Sequence, residues 1–233
     1  MKSLQKTLDI LEYVVLQNGA SVTPTRVAEF LGINSVTCTR IMGELVRRGY
    51  LMQISRKAGY IPGPMITSLG TRNNHYERLA AAARGPVARL SERLRKQVNL
   101  AVLNRSRRIM LCYHLSNPGQ KPWDRFFFTD HWETATGRLL ISSLDDRSAR
   151  DLAREVGIHP FPKMELEKIR REGFVRFEQD RLVIIGHLIK VPGYPPAAFG
   201  FGIEPEGASK AFAASRETAD EIRRLLEEPN RAY

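Results

Sequence analysis

The chain has 233 residues, 42% hydrophobic and 26% charged, which allows one large domain or two modest ones and excludes disordered or collagen-like classes. Its longest apolar run, Leu182 to Ile189, is interrupted by Gly186 and His187 and falls short of the roughly 18 residues of a membrane span; Lys2, Lys6 and Asp9 break any secretory-signal pattern, so a cytoplasmic protein is expected. With 36 Lys and Arg against 25 Asp and Glu the net charge is +11, a balance suited to polyanionic partners, and two cysteines, Cys38 and Cys112, cannot build a disulfide framework.

Leu4, Leu8, Leu11 and Val15 recur at helical spacing, with Ile10 and Val14 widening the stripe, so residues 3–17 are expected to form an amphipathic helix ended by Asn18-Gly19. Thr23 offers an N-cap oxygen and Pro24 suits the first position of a second helix, whose apolar side is Val27, Ala28, Phe30 and Leu31 and which Gly32 stops. Asn34 or Ser35 caps a third helix, with Cys38, Ile41, Met42 and Leu45 at core spacing. Its opposite face carries Ser35, Val36, Thr39, Arg40, Gly43 and Arg47, side chains short enough for close approach to another surface plus two guanidinium groups. Residues 50–55 and 60–61 then flank the polar turn Arg56-Lys57-Ala58-Gly59 as a hairpin.

Helix, helix, turn, helix and basic-tipped hairpin is the order of a winged helix-turn-helix. Any one piece is common in small domains. Their conjunction, with nine Lys and Arg against four Asp and Glu over residues 1–72, is the electrostatic footprint that phosphate neutralisation requires. Thr25, Arg26, Ser35, Val36, Thr37, Thr39, Arg40, Gly43, Arg47, Arg56 and Lys57 are the candidate DNA contacts.

These segments resemble the IclR-type bacterial transcription regulators. The resemblance is carried by Leu4-Gln5-Lys6-Thr7-Leu8-Asp9-Ile10-Leu11, Val27-Ala28-Glu29-Phe30-Leu31-Gly32-Ile33, Arg40-Ile41-Met42-Gly43-Glu44-Leu45, Arg48-Gly49-Tyr50, and Gly63-Pro64 followed by Leu69-Gly70. Where the family usually has Lys-Ser-Thr-Val, this chain has Ser35-Val36-Thr37-Cys38, on or beside the reading surface. More weakly, residues 98–103 and 109–115, joined by a turn with Arg105, Arg107 and Arg108, resemble the first strands of the family's C-terminal domain. Residues 132–140 resemble its His-Ala-Thr-Ala-x-Gly-Lys segment with Trp132 in place of the His, and Arg170-Arg171-Glu172-Gly173-Phe174 its later helix exit.

The resemblance implies an α+β chain of two domains: a winged helix-turn-helix over 1–64, a linker helix over 65–84, and, over 85–233, a GAF-like effector-binding domain with an antiparallel sheet flanked by helices. Gly85-Pro86 is expected to break the linker helix, whose Tyr76, Leu79, Ala80 and Ala83 suit a dimer contact. The resemblance also implies an effector pocket against the Thr134, Ala135, Thr136, Gly137 turn, closed by two strands in which His187 stands where the family often has Cys or Ser, and Gly200 and Gly202 where it has Ser-x-Ser. Loss of those hydroxyls leaves room for a bulkier ligand lined by Trp132, Phe199 and Phe201, or marks a degenerate pocket. Aromatics at such positions are more often core than cage.

Strand alternation puts Met110, Cys112 and His114 on one face; Cys112 and His114 read either as a ligand or nucleophile–base pair or, more simply, as core. No phosphate loop, Ser-His-Asp order or paired-cysteine zinc pattern stands out, so the chain is read as a non-enzyme without cofactor or metal. The expected function is a regulator that binds double-stranded promoter DNA as a homodimer, with a tetramer as the alternative, under control of a small molecule such as an organic or aromatic acid. The rival reading is a ligand-blind architectural or regulatory DNA binder whose second domain only oligomerises.

Overall fold

Helix-forming patterns and caps in the first 70 residues produce the elements that the sequence announces. In the computed structural model, which describes residues 2–55, 57–71, 75–116 and 125–228, these are α1 (Lys2–Val15), α2 (Pro24–Leu31), α3 (Ser35–Arg47), β1 (Leu51–Ser55), β2 (Gly59–Pro62) and α4 (Pro64–Gly70). The Thr23 hydroxyl accepts from the Arg26 N–H, and Gly32 closes α2 in the left-handed conformation at φ 63°. Asn34, rather than Ser35, caps α3, its carboxamide oxygen accepting from the N–H groups of Val36 and Thr37 at 3.0 and 3.2 Å.

The hairpin pairs Leu51 with Pro62 and Gln53 with Tyr60, and Val22 adds a bridge by exchanging both backbone hydrogen bonds with Tyr60. Gly59, at φ 92°, is required there, because a Cβ would lie 2.4 Å from the Val22 carbonyl oxygen. Ile10, Val14, Val27, Cys38, Met42, Leu45 and Leu51 fill the core of this unit. One expectation changes: α1 turns Ile10, Tyr13 and Val14 inward, while Leu4 and Leu8 stay 67% and 48% exposed. A helix with apolar residues around so much of its circumference cannot bury all of them in so small a core.

The chain divides into two compact units, residues 1–73 with 122–126 and residues 74–121 with 127–233. The second contains α5 (His75–Leu94), β3 (Val98–Asn104), β4 (Arg107–His114), β5 (Phe127–Phe128), α6 (Ala135–Ser142), α7 (Asp146–Glu155), α8 (Lys163–Glu172), β6 (Phe174–Gln179), β7 (Leu182–Ile189), β8 (Ala197–Ile203), a short 3₁₀ turn and α9 (Ala208–Glu227). Six antiparallel strands run in the order β5-β4-β3-β8-β7-β6. Helices α5 and α9 cover one face over Val98, Leu100, Ile185, Phe199 and Phe201. Helices α6 and α8 pack on the other over Ala101, Val175, Leu188 and Ala198.

Two local expectations fail. No single helix spans 65–84: α4 ends at Gly70, and α5 runs straight through Gly85-Pro86. Pro86 has no N–H for the Ala82 carbonyl, a defect costing about 3 kcal/mol in an isolated helix. Burial of Leu79, Ala83, Pro86, Val87 and Leu90 along one side offsets it. In the sheet, Leu100 pairs with Cys112 but Ala101 with Met110, so Leu111 is an extra, bulged residue. The bulge breaks the alternation: Met110 joins the α6 face, whereas Cys112 packs with Ile109 and Leu111 against the α5/α9 core.

His187 lies on that α5/α9 side too. Its ring stacks on Phe199 with centroids 5.6 Å apart, packs near Phe212, and its Nε2 is 2.9 Å from Ser215 Oγ. Because the Ser215 hydroxyl donates to the Phe212 carbonyl, it accepts from His187, which fixes the neutral Nε2–H tautomer. Burial, reinforced by Arg223, lowers the His187 pKa to about 4. The unfolded chain therefore takes up a proton at this group before the folded one does, and stability present above pH about 6.5 is lost as pH falls toward 4. The urea midpoint should drop across that window by the equivalent of about 3 kcal/mol, and a folded His187→Gln variant should show a flatter profile.

Candidate functional site

In the first unit, the N-caps and core spacing of α3 leave one face free of packing. Ser35, Val36, Thr39, Arg40, Gly43 and Arg47 are exposed along it, with Val36 at 76%, while Thr37 is half-buried. Thr25 and Arg26 are exposed at the start of α2, and Lys57 is exposed at the hairpin tip; Arg56 lies outside the described residues. The Glu44 carboxylate accepts from both Arg47 and Arg48, and these bonds hold its pKa below the usual carboxylate range. Arg40 makes no ion pair among the described residues. Thus one guanidinium on this face is already neutralised locally, and another has no counter-charge among the described residues.

In the second unit, the turn into α6 is built on close backbone contact. Thr134 caps the helix by accepting from the Gly137 N–H, and a Cβ on Gly137 would stand 2.0 Å from the His131 carbonyl oxygen. Ala135 then seats directly on the sheet: a Cβ added to Gly186 or Gly200 would come within 2.7 or 2.9 Å of the Ala135 Cβ. Ala135, Thr136, Gly137 and Gly200 are therefore brought together, and Gly202 lies further along the same face of β8, beside Leu182 and Ile184.

Other expected pocket residues are not with them. His187, Phe199 and Phe201 point to the opposite face of the sheet, as the period of two along β7 and β8 dictates. Half-buried Trp132 sits instead against Arg138, whose guanidinium lies 4.8 Å from the indole centroid and 3.6 Å from that of Phe177. Gly200 makes room for α6 and not for a bulkier ligand. The Cys112 thiol, raised by burial to about 11, is protonated at neutral pH, which removes the nucleophile from the Cys112–His114 pairing.

The chemistry beside α6 comes from residues outside the expected set. Arg108, which the sequence pattern puts in a turn, lies within β4 and is only 3% exposed. Its Nη1 donates to Thr136 Oγ1 and its Nη2 to Asp130 Oδ1, both at 2.6 Å, while Nε is buried without a hydrogen-bond partner among the described residues. Desolvation depresses the Arg108 pKa, against the opposing pull of Asp130. His131 is buried as well; its Nε2 is 3.0 Å from the Ser106 carbonyl and its Nδ1 has no partner. Bonding to a carbonyl makes Nε2 the donor, so Nδ1 is an unused acceptor, and burial lowers the pKa of the ring. Asp130 and His131 form part of the wall of a cavity of about 420 Å³, with Trp132 and residues 156–160 around it. Strand alternation around Arg108 was the signal that could have moved it from the turn into the sheet.

A winged helix-turn-helix unit together with a six-stranded antiparallel sheet carrying helices on both faces is the fold of the IclR-type regulators. A homologue from Microbacterium hydrocarbonoxydans, solved in complex with 4-hydroxybenzoate, matches with a TM-score of 0.74 at 19% identity, over 97% of this chain and 100% of that one. The Thermotoga maritima IclR matches with a TM-score of 0.66 at 20% identity, over 97% and 99%. A regulator from Alicyclobacillus acidocaldarius gives 0.70 at 18%, over 97% and 98%. At these identities the likeness is one of fold. No protein-family model and no curated protein matches the sequence. Among the described residues, no helix is long and apolar enough to cross a membrane.

The seating of α6 makes a direct prediction. Gly186→Ala forces a methyl onto Ala135 and the Phe199 carbonyl, 2.8 Å away, and should destabilise the protein by about 1–3 kcal/mol in urea denaturation. Gly202→Ala meets only the movable ends of Leu182 and Ile184 at 3.1–3.2 Å and should cost less.

Proposed function

We propose that this protein is a sequence-specific DNA-binding transcription regulator, in which the first unit binds double-stranded promoter DNA and a small organic acid bound in the second unit sets occupancy. The observation that carries the reading is the unpacked face of α3, with short side chains around Arg40, which makes no ion pair among the described residues, on a unit that is itself basic. Short side chains let a helix enter the major groove, and Arg is the side chain best matched to a guanine edge. The exposed methyls of Val36 suit apolar contact with thymine.

Leu4 and Leu8, left exposed on α1, give a second copy an apolar stripe to cover, which supports a homodimer. A two-fold pair would read half-sites about one helical turn apart. The 4-hydroxybenzoate complex of the Microbacterium protein supports an aromatic or other organic acid as effector class. Ligand control would act by population shift, through tighter binding of the acid to one arrangement of the paired DNA-binding units. The close seating of Ala135 on Gly186 and Gly200 favours a second reading, in which the second unit serves assembly alone.

Binding to DNA flanking the gene, compared with a scrambled fragment at about 50 and 200 mM salt, tests the reading. A preference that persists at the higher salt is expected, and equal salt-sensitive binding to both fragments would overturn it. Arg40→Ala should reduce that preference by the equivalent of about 1–3 kcal/mol, whereas Lys57→Ala should weaken both fragments alike. Operator affinity that no organic acid alters would select the assembly-only reading.

A further inference from the structure

The Arg108–Asp130 pair is poorly matched in a way that a ligand would correct. A guanidinium and a carboxylate bind best through two parallel bonds from one edge of the fork. Here one Asp130 oxygen meets Nη2, Thr136 takes Nη1, and the Nε–H is left buried and empty. The two partners differ in cost of separation: the Arg108 side chain is 4% exposed and would be left a buried, unpaired cation, while that of Asp130 is 46% exposed and gains hydration if it swings out. Asp130 also lies in the wall of the cavity of about 420 Å³, a volume ample for a small aromatic acid, and beside it His131 Nδ1 is a second buried polar atom without a partner.

We propose that Asp130 is a built-in stand-in for the effector carboxylate: it holds Arg108 in the free protein, and an organic carboxylate entering through the adjacent cavity takes its place on the Nε and Nη2 edge. This rests on the reading of the second unit as an effector domain and specifies the ligand's anchoring group. No covalent step is involved; one anion replaces another on a buried cation, so the charge buried around Arg108 does not change. The exchange is mechanically connected to α6. The Thr134 hydroxyl that caps the helix also lies 3.3 Å from the Asp130 carbonyl oxygen, and Thr136, in the first turn, is the other partner of Arg108. Moving residues 129–134 therefore acts on the N-terminus of the helix that is seated on β7 and β8.

The test uses the full chain and thermal denaturation with acetate, benzoate, and benzamide as the uncharged isostere, at matched ionic strength. Benzoate should raise the Tm of the wild type saturably and benzamide should not. Asp130→Asn removes the competing anion; benzoate should half-saturate it at roughly tenfold lower concentration, and acetate should restore much of its lost Tm. Asp130→Glu, which keeps the charge, should bind no tighter than wild type. Arg108→Gln should abolish the carboxylate response, and if it does not fold, Arg108→Lys, which keeps the charge without the fork, should weaken it about tenfold. Equal responses to benzoate and benzamide, or no gain in Asp130→Asn over wild type, would overturn the proposal. DNA binding measured on the same samples separates the two readings. Carboxylate binding that leaves operator affinity unchanged would keep the Arg108 site and remove its effector role, while loss of DNA preference alone would sink the regulator and spare the site.

Discussion

The contact on which the second unit depends is the backbone-distance seating of α6 on the sheet. Ala135 reaches β7 and β8 only because Gly186 and Gly200 have no side chains there, and the turn into the helix closes only because Gly137 has none against the His131 carbonyl. Those three absent methyls place the α6 N-terminus beside β4, where the Thr136 hydroxyl meets Arg108. Burying a guanidinium costs several kcal/mol unless it is paired and hydrogen-bonded, and the pairing available is a single oxygen of Asp130 plus a threonine.

The two units manage their charge differently. In the first, cations stand in water, where ion pairs such as those of Glu44 with Arg47 and Arg48 add little stability. In the second, Arg108 stands in a medium that screens poorly, so each bond to it is specific and its loss expensive. A surface of the first kind suits a long repetitive partner, and a site of the second kind suits one small molecule with a defined anionic group.

Much of the first unit was legible because its signals are local. Thr23-Pro24, Gly32 and Asn34 set helix ends through their own hydroxyl, ring or backbone, and Cys38, Ile41, Met42 and Leu45 declare one face of one helix. The failures in the second unit have equally definite causes. Pro86 reads as a breaker, yet the packing of Leu79, Val87 and Leu90 carries the helix across it. The bulge at Leu111 reverses which face Cys112 joins. Likeness to a family pattern groups His187 with Gly200, but the odd positions of β7 face α9, where the histidine is a core residue bonded to Ser215.

The order of elements, the capped helices of the winged unit, the exposed basic character of α3 and the two-part plan are written locally in the chain, because each depends on residues within a turn or two of one another. Which leucines of α1 remain uncovered, the use of Gly200 to seat a helix, and the meeting of Arg108, Asp130 and Thr136 follow from long-range packing alone. Those outcomes depend on which strand lies beside which and on how closely two backbones approach. Residues 28 positions apart, such as Arg108 and Thr136, acquire a shared chemistry only when the sheet and the helix have closed on each other.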